Sequence, residues 1–170
     1  MLKYLIFAAV LALPGAALAQ APNDAQIAHI AYTAGAIDIA AADQALTKAT
    51  NPDVKAFAAE MARDHKAVNT QALALVKKLN VTPQDNATSQ ALSKAAAAKL
   101  TELAKLKGAA YDRAYVENEV AFHKTVNGAL ETTLIPGAKN AELKALLQTG
   151  LKLSQAHQAH AEHLAMTLAK

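Results

Sequence analysis

Four long stretches of the sequence repeat apolar residues in steps of three and four, and the junctions between them are short, long and short. That spacing places the apolar residues on one stripe of an α-helix, which has to be buried against other stripes. Ile27, Ile30, Ala34, Ile37 and Ala41 mark a first helix over about Asp24 to Ala49. Asn51 and Pro52 supply an N-cap and a first-turn proline for a second, which runs to about Leu79. A third covers about Ala109 to Leu134, and "IPGAKN" separates it from a fourth that begins near Asn140. Nearly thirty residues lie between the second and third, enough to carry the chain back along the molecule. The spacing predicts an all-α, ferritin-like four-helix bundle with one long crossover containing a short extra helix, not a simple up-and-down bundle. That extra helix is expected over about Ser89 to Lys107, its lysines facing solvent and a thin apolar edge facing inward.

Composition agrees with helices and narrows the rest. Alanine makes up about a quarter of the chain, and no β-branched run alternates with polar residues. Lys3, the apolar run Tyr4 to Leu13, and the small residues Ala17 to Ala19 form an export leader. Cleavage is expected between Ala19 and Gln20, leaving residues 20–170 as one bundle domain in the periplasm or cell envelope. The apolar run is far short of the roughly 20 residues a membrane-spanning helix requires, so the mature chain is not expected to be transmembrane. With no cysteine, neither a disulfide nor a lipid-bearing cysteine holds it. A net charge of +3, no Trp and 4% aromatics leave no stacking surface or basic face for nucleic acid.

One stripe is interrupted where its neighbours are apolar. In "EMARDHKAVN", His65 falls between Met61 and Val68, with Glu60 and Asp64 close by. Counting depth from the turns at 1.5 Å per residue sets Asp38 of the first helix opposite His65. His123 of the third helix lies at the same depth, with Glu119 one turn earlier on its face. The fourth helix is expected to bring Ser154 and His157 to the level of Glu119 and Tyr115, with His157, His160 and Leu164 continuing its seam. Five of the six histidines then face inward or nearly so, His29 being the exception.

Two chemistries suit that set. His65, His123, Asp64, Glu119, Asp38 and His157 offer nitrogen and oxygen ligands to a divalent transition metal, namely zinc, copper, nickel or iron. The alternative is a metal-free polar layer that fixes helix register, with Tyr115 donating to His65 or His123 and Asp64 pairing with Arg113 or holding an imidazole. The terminal "HQAHAEH", with His157, His160 and His163, would on that view be a partly exposed patch.

The residues also resemble a known family. Pro52-Asp53-Val54-Lys55-Ala56-Phe57-Ala58, then Met61, Asp64-His65 and Asn69, then Tyr111 to Val116 with His123, then Glu142-Leu143-Lys144 and His163-Leu164, are similar in order and spacing to the secreted ferritin-like family called domain of unknown function 4142. The resemblance implies a bacterial envelope protein, labelled outer-membrane or periplasmic, with no established activity. Asp64, His65, Tyr115, His123 and His163 match the family pattern, the last with Tyr115 as members of a polar layer. Glu119, His157 and His160 lie outside it, and no barrel-like alternation supports an outer-membrane position.

Several activities are excluded or weakened. Ferritin-like di-iron proteins carry a Glu-x-x-His pair on each of two helices, and this chain has none: Glu119 and His123 are four apart. A mononuclear site is what remains. No nucleophile turn, phosphate loop or dinucleotide fingerprint is present, so an enzyme here would have to be metal-dependent. The sequence leaves two functions: a stress-related or interaction module of the envelope that meets an unknown envelope partner, or a metal-binding bundle for sequestration or sensing.

Overall fold

Asparagine starts four of the five long helices. In the computed structural model, which describes residues 21–169, Asn23, Asn51, Asn86 and Asn140 each turn a side-chain oxygen onto first-turn amides. These caps satisfy donors that a helix start otherwise leaves open. They begin α1 (Asp24–Lys48), α2 (Pro52–Lys78), α3 (Ala87–Ala104) and α6 (Ala141–Leu168). The fifth, α4 (Gly108–Ala129), has no side-chain cap, and Gly108 enters it with φ +55, a conformation that suits glycine. The expected leader, with its expected cleavage between Ala19 and Gln20, lies outside the described residues.

The long helices pair as two antiparallel hairpins, α1 with α2 and α4 with α6. The hairpins join through α2 on α6 and α1 on α4. Contacts such as Asp64 with His157 and Glu60 with His160 show that α2 and α6 run antiparallel. The connector α3 returns alongside α1 in the same direction. Gln44 Nε2 donates to the Leu100 carbonyl (3.1 Å), and Lys48 Nζ donates to that of Ala104 (2.8 Å). This is the four-helix bundle with one crossover that the junction lengths predict.

Past Ala129 the helix begun by α4 changes pitch. Leu130–Leu134 is a π-helical turn, closed by the Ile135 amide on the Leu130 carbonyl, and α5 (Ile135–Gly137) adds one last turn. Asp24 then clamps the tight junction, accepting from the amides of Lys139 and Asn140 at 2.8 Å each.

The apolar core has two parts. Phe57, Met61, Tyr111, Tyr115, Val116 and Leu164 fill one end of the bundle. Ile27, Ile30, Leu130, Leu134, Leu143 and Leu147 fill the other. Between them on α1, α2, α4 and α6 lie Asp38, His65, Glu119, His123 and His157, all buried.

Candidate metal centre

Three helices each place one imidazole in this middle layer. His65 comes from α2, His123 from α4 and His157 from α6, with ring centroids 5.2 to 5.8 Å apart. One nitrogen of each lies within 4.8 Å of one nitrogen of the others. The seams explain the meeting: each histidine occupies a position where its helix otherwise carries Met, Val, Ala or Leu, so its ring has nowhere to point but inward.

Hydrogen bonds fix two of the three tautomers. His123 Nδ1 lies 2.9 Å from the Glu119 carbonyl. A carbonyl only accepts, so Nδ1 carries the proton and Nε2 keeps its lone pair. His157 Nε2 lies 3.1 Å from Oδ2 of Asp64, which leaves the lone pair on Nδ1. Both free nitrogens, His123 Nε2 and His157 Nδ1, are buried without a hydrogen-bond partner. His65 Nε2 sits 3.3 Å from Oδ2 of Asp38 but is not aligned for a hydrogen bond.

Charge in the layer is arranged to keep the imidazoles neutral. Burial, with His123 and His157 nearby, holds His65 down to about 3, and burial holds His123 down to about 4. Burial raises Glu119 to about 8, and burial together with the neighbouring Glu119 raises Asp38 well above the usual carboxylate range. Two carboxyls so close and so dry do not both ionise. Asp64, near the surface, behaves in the opposite way: Arg63 Nε donates to it at 2.7 Å and, with His157, keeps it ionised.

Two further ligand groups overlap the histidine trio. Asp38, Glu119 and His123 form a deep one, and Glu60, Asp64 and His157 form one nearer solvent. All six residues expected as metal ligands therefore fall in one connected cluster.

Other expectations are corrected. His157 meets His123 and His65 rather than the level of Glu119 and Tyr115, because the helical path continues through Gly137 and shifts the turn. The α6 seam runs Ser154, His157, Ala161, Leu164. His160 and His163 each fall one position off it and are exposed, so His163 is not part of the buried layer. His160 Nδ1 instead approaches Glu60 at 2.9 Å. Tyr115 is buried, yet its hydroxyl donates to neither His65 nor His123 and has no partner. The guanidinium at Asp64 is Arg63, not Arg113.

Asp112, inside the Tyr111–Val116 motif, has a role that spacing alone does not reveal. It is buried at the start of α4 and accepts from the Thr50 amide (2.9 Å), the Thr50 hydroxyl (2.6 Å) and the Asn51 amide (3.0 Å). An acidic residue between two tyrosine-bearing turns, in the second turn of an uncapped helix, was the available signal.

Comparison with known proteins adds a fold and a family. The solved structure "CopM in the Cu(II)-bound form" superposes with a TM-score of 0.66 over 87% of this chain and 99% of that one, at 14% identity, a likeness of fold. No curated protein matches the chain. Among the described residues no helix is long and apolar enough to cross a membrane. The model of a domain of unknown function, DUF4142, matches residues 11–164, and the chain belongs to that family.

Proposed function

We propose that this chain is an exported metal-sequestering bundle that holds one divalent transition ion between His65, His123 and His157. The observation that carries this reading is the pair of lone pairs on His123 Nε2 and His157 Nδ1, each set by a hydrogen bond on the opposite ring nitrogen and each buried without a partner. A histidine that donates one nitrogen to a carboxylate or carbonyl is oriented to bind metal through the other. A metal-free layer would instead need hydrogen bonds for these atoms.

The residues fit such an ion. Three neutral imidazoles suit copper(II) or zinc, and the order of divalent affinities makes copper(II) the tighter. Bound there, the ion supplies positive charge to a layer whose carboxyls have no Lys or Arg beside them except at Asp64. The likeness to a fold solved in a Cu(II)-bound form makes copper the first ion to test. Burial of all three rings supports retention over rapid turnover.

The test is titration of copper(II) and zinc into residues 20–170, with and without prior EDTA. One ion per chain is expected, with affinity falling about a hundredfold or more in His123→Ala or His157→Ala. Equal affinity in wild type and the triple alanine variant sinks the reading.

A further inference from the structure

Beyond the histidines, toward the Ile27 and Leu143 end, the bundle interior is not filled. A cavity of about 420 Å³ lies between α1, α2, α6 and the end of α4. That is the size of a small-molecule site. Its walls are almost wholly aliphatic, among them Ile30, Val76, Leu130 and Leu147. The space exists because small residues stand where helices face each other, notably Ala34, Ala72 and Gly150. A Cβ on Gly150 would meet nothing within 4 Å. Close-packed interiors rarely leave an apolar void this large without something to fill it.

The inner end is chemically different. Asp38 and His65 line it, and Asp38 Oδ1 and His65 Nε2 are both buried with no hydrogen-bond partner. No Lys or Arg lines the cavity. An occupant that satisfies this floor brings donors to these two atoms beside the Asp38 and Glu119 carboxyls, and an ammonium head brings three. A carboxylate head would place a third acid beside them. A folded partner laid across the mouth would leave the floor unmet, because Asp38 is only 3% exposed.

We propose that this cavity binds an amphiphile with an apolar chain and a primary ammonium head, the chain lying among the aliphatic walls and the head reaching Asp38 and His65. The head reaches His65, a ligand of the metal proposed above, so the amphiphile occupies the metal-free chain.

Calorimetric titration of EDTA-treated protein, residues 20–170, with decylamine, decanol and decanoate tests it. Decylamine is expected to bind saturably at one per chain, with decanoate at least tenfold weaker. Asp38→Asn is expected to bring decylamine down to the affinity of decanol. Gly150→Leu and Ala72→Phe, checked for helicity by circular dichroism, are expected to abolish binding by occupying the space. Decanoate binding as tightly as decylamine, no saturable binding by wild type, or unchanged affinity in a folded filling variant overturns the proposal. So does a dimer in sedimentation that Gly150→Leu converts to monomer, which would make the cleft an interface between copies.

Discussion

His157 is held from outside by Asp64: Nε2 lies 3.1 Å from the Asp64 carboxylate, and Nδ1 is buried with no partner. Asp64 in turn is kept ionised by Arg63. A partly exposed carboxylate on α2 thus sets which nitrogen a buried ring on α6 offers to the core. Asp64→Leu is expected to weaken copper(II) or zinc binding by about 10- to 100-fold without changing stoichiometry. Asp64→Asn can still accept from Nε2 and should lose less. Isothermal titration of both variants checks the order; equal affinities would mean the tautomer is set elsewhere.

Replacing His65 and His123 together by leucine is expected to abolish tight metal binding while leaving the fold intact. A satisfied polar layer can be exchanged for apolar packing at little cost, and here several polar atoms are unsatisfied to begin with. The melting temperature of the double variant should equal or exceed that of the metal-free wild type. A fall of more than about 5 °C would show that the imidazoles carry packing of their own.

Stability of the metal-free chain should depend on pH in both directions. His65 and His123 are held down to about 3 and about 4, so the unfolded chain takes protons that the folded chain refuses. Their contribution is present above about pH 6.5 and is lost as pH falls toward those values. Glu119, raised to about 8, and Asp38, raised by burial, act oppositely. Their contribution is present below about pH 4 and is lost as pH rises toward 8. The two effects oppose each other between about pH 4.5 and 6.5, and only the carboxyl effect operates above that. Scanning calorimetry should show a mildly acidic plateau with declines on either side, and Glu119→Gln should flatten the alkaline decline. A melting temperature that climbs between about pH 6.5 and 8 would mean Glu119 is not held protonated.

Asp112→Ala should destabilise the fold without touching the histidines. Three donors of the α1–α2 junction lose a buried charged acceptor. A cost of about 2–3 kcal/mol follows, or a melting temperature lower by roughly 5–10 °C. Metal affinity, measured below the transition, should be unchanged.

Helices and topology were legible because their signals are local. Asn51-Pro52, Asn140 and the long second junction each act through a few neighbouring residues, and the structure places α2, α6 and the α3 crossover accordingly. His65 and Asp38 were legible because depth counts well from a tight turn, and His123 because it lies about as far into its helix as His65 does into its own. His157 was displaced by one turn because nothing in "LETTLIPG" announces that helix persists through Gly137. His160 and His163 were misplaced because alanine fills so much of α6 that several stripes look equally apolar. Which buried polar atoms stay unpaired, as in Tyr115, depends on side-chain reach across helices, which no spacing encodes.

The π-helical turn at Leu130–Leu134 has a consequence for how this chain tolerates change in length. A π turn is an α turn with one residue added, and such an addition rotates everything beyond it by roughly 100° about the helix axis. Here it falls after His123 and before the junction clamped by Asp24, so the rotation is absorbed in a turn rather than passed to Tyr115, Glu119 or His123. The same added residue four positions before Glu119 would have swung both ligands out of the layer. The added residue of the π turn thus leaves the register of Tyr115, Glu119 and His123 along α4 untouched, and its rotation acts only on the approach to the Asp24 clamp.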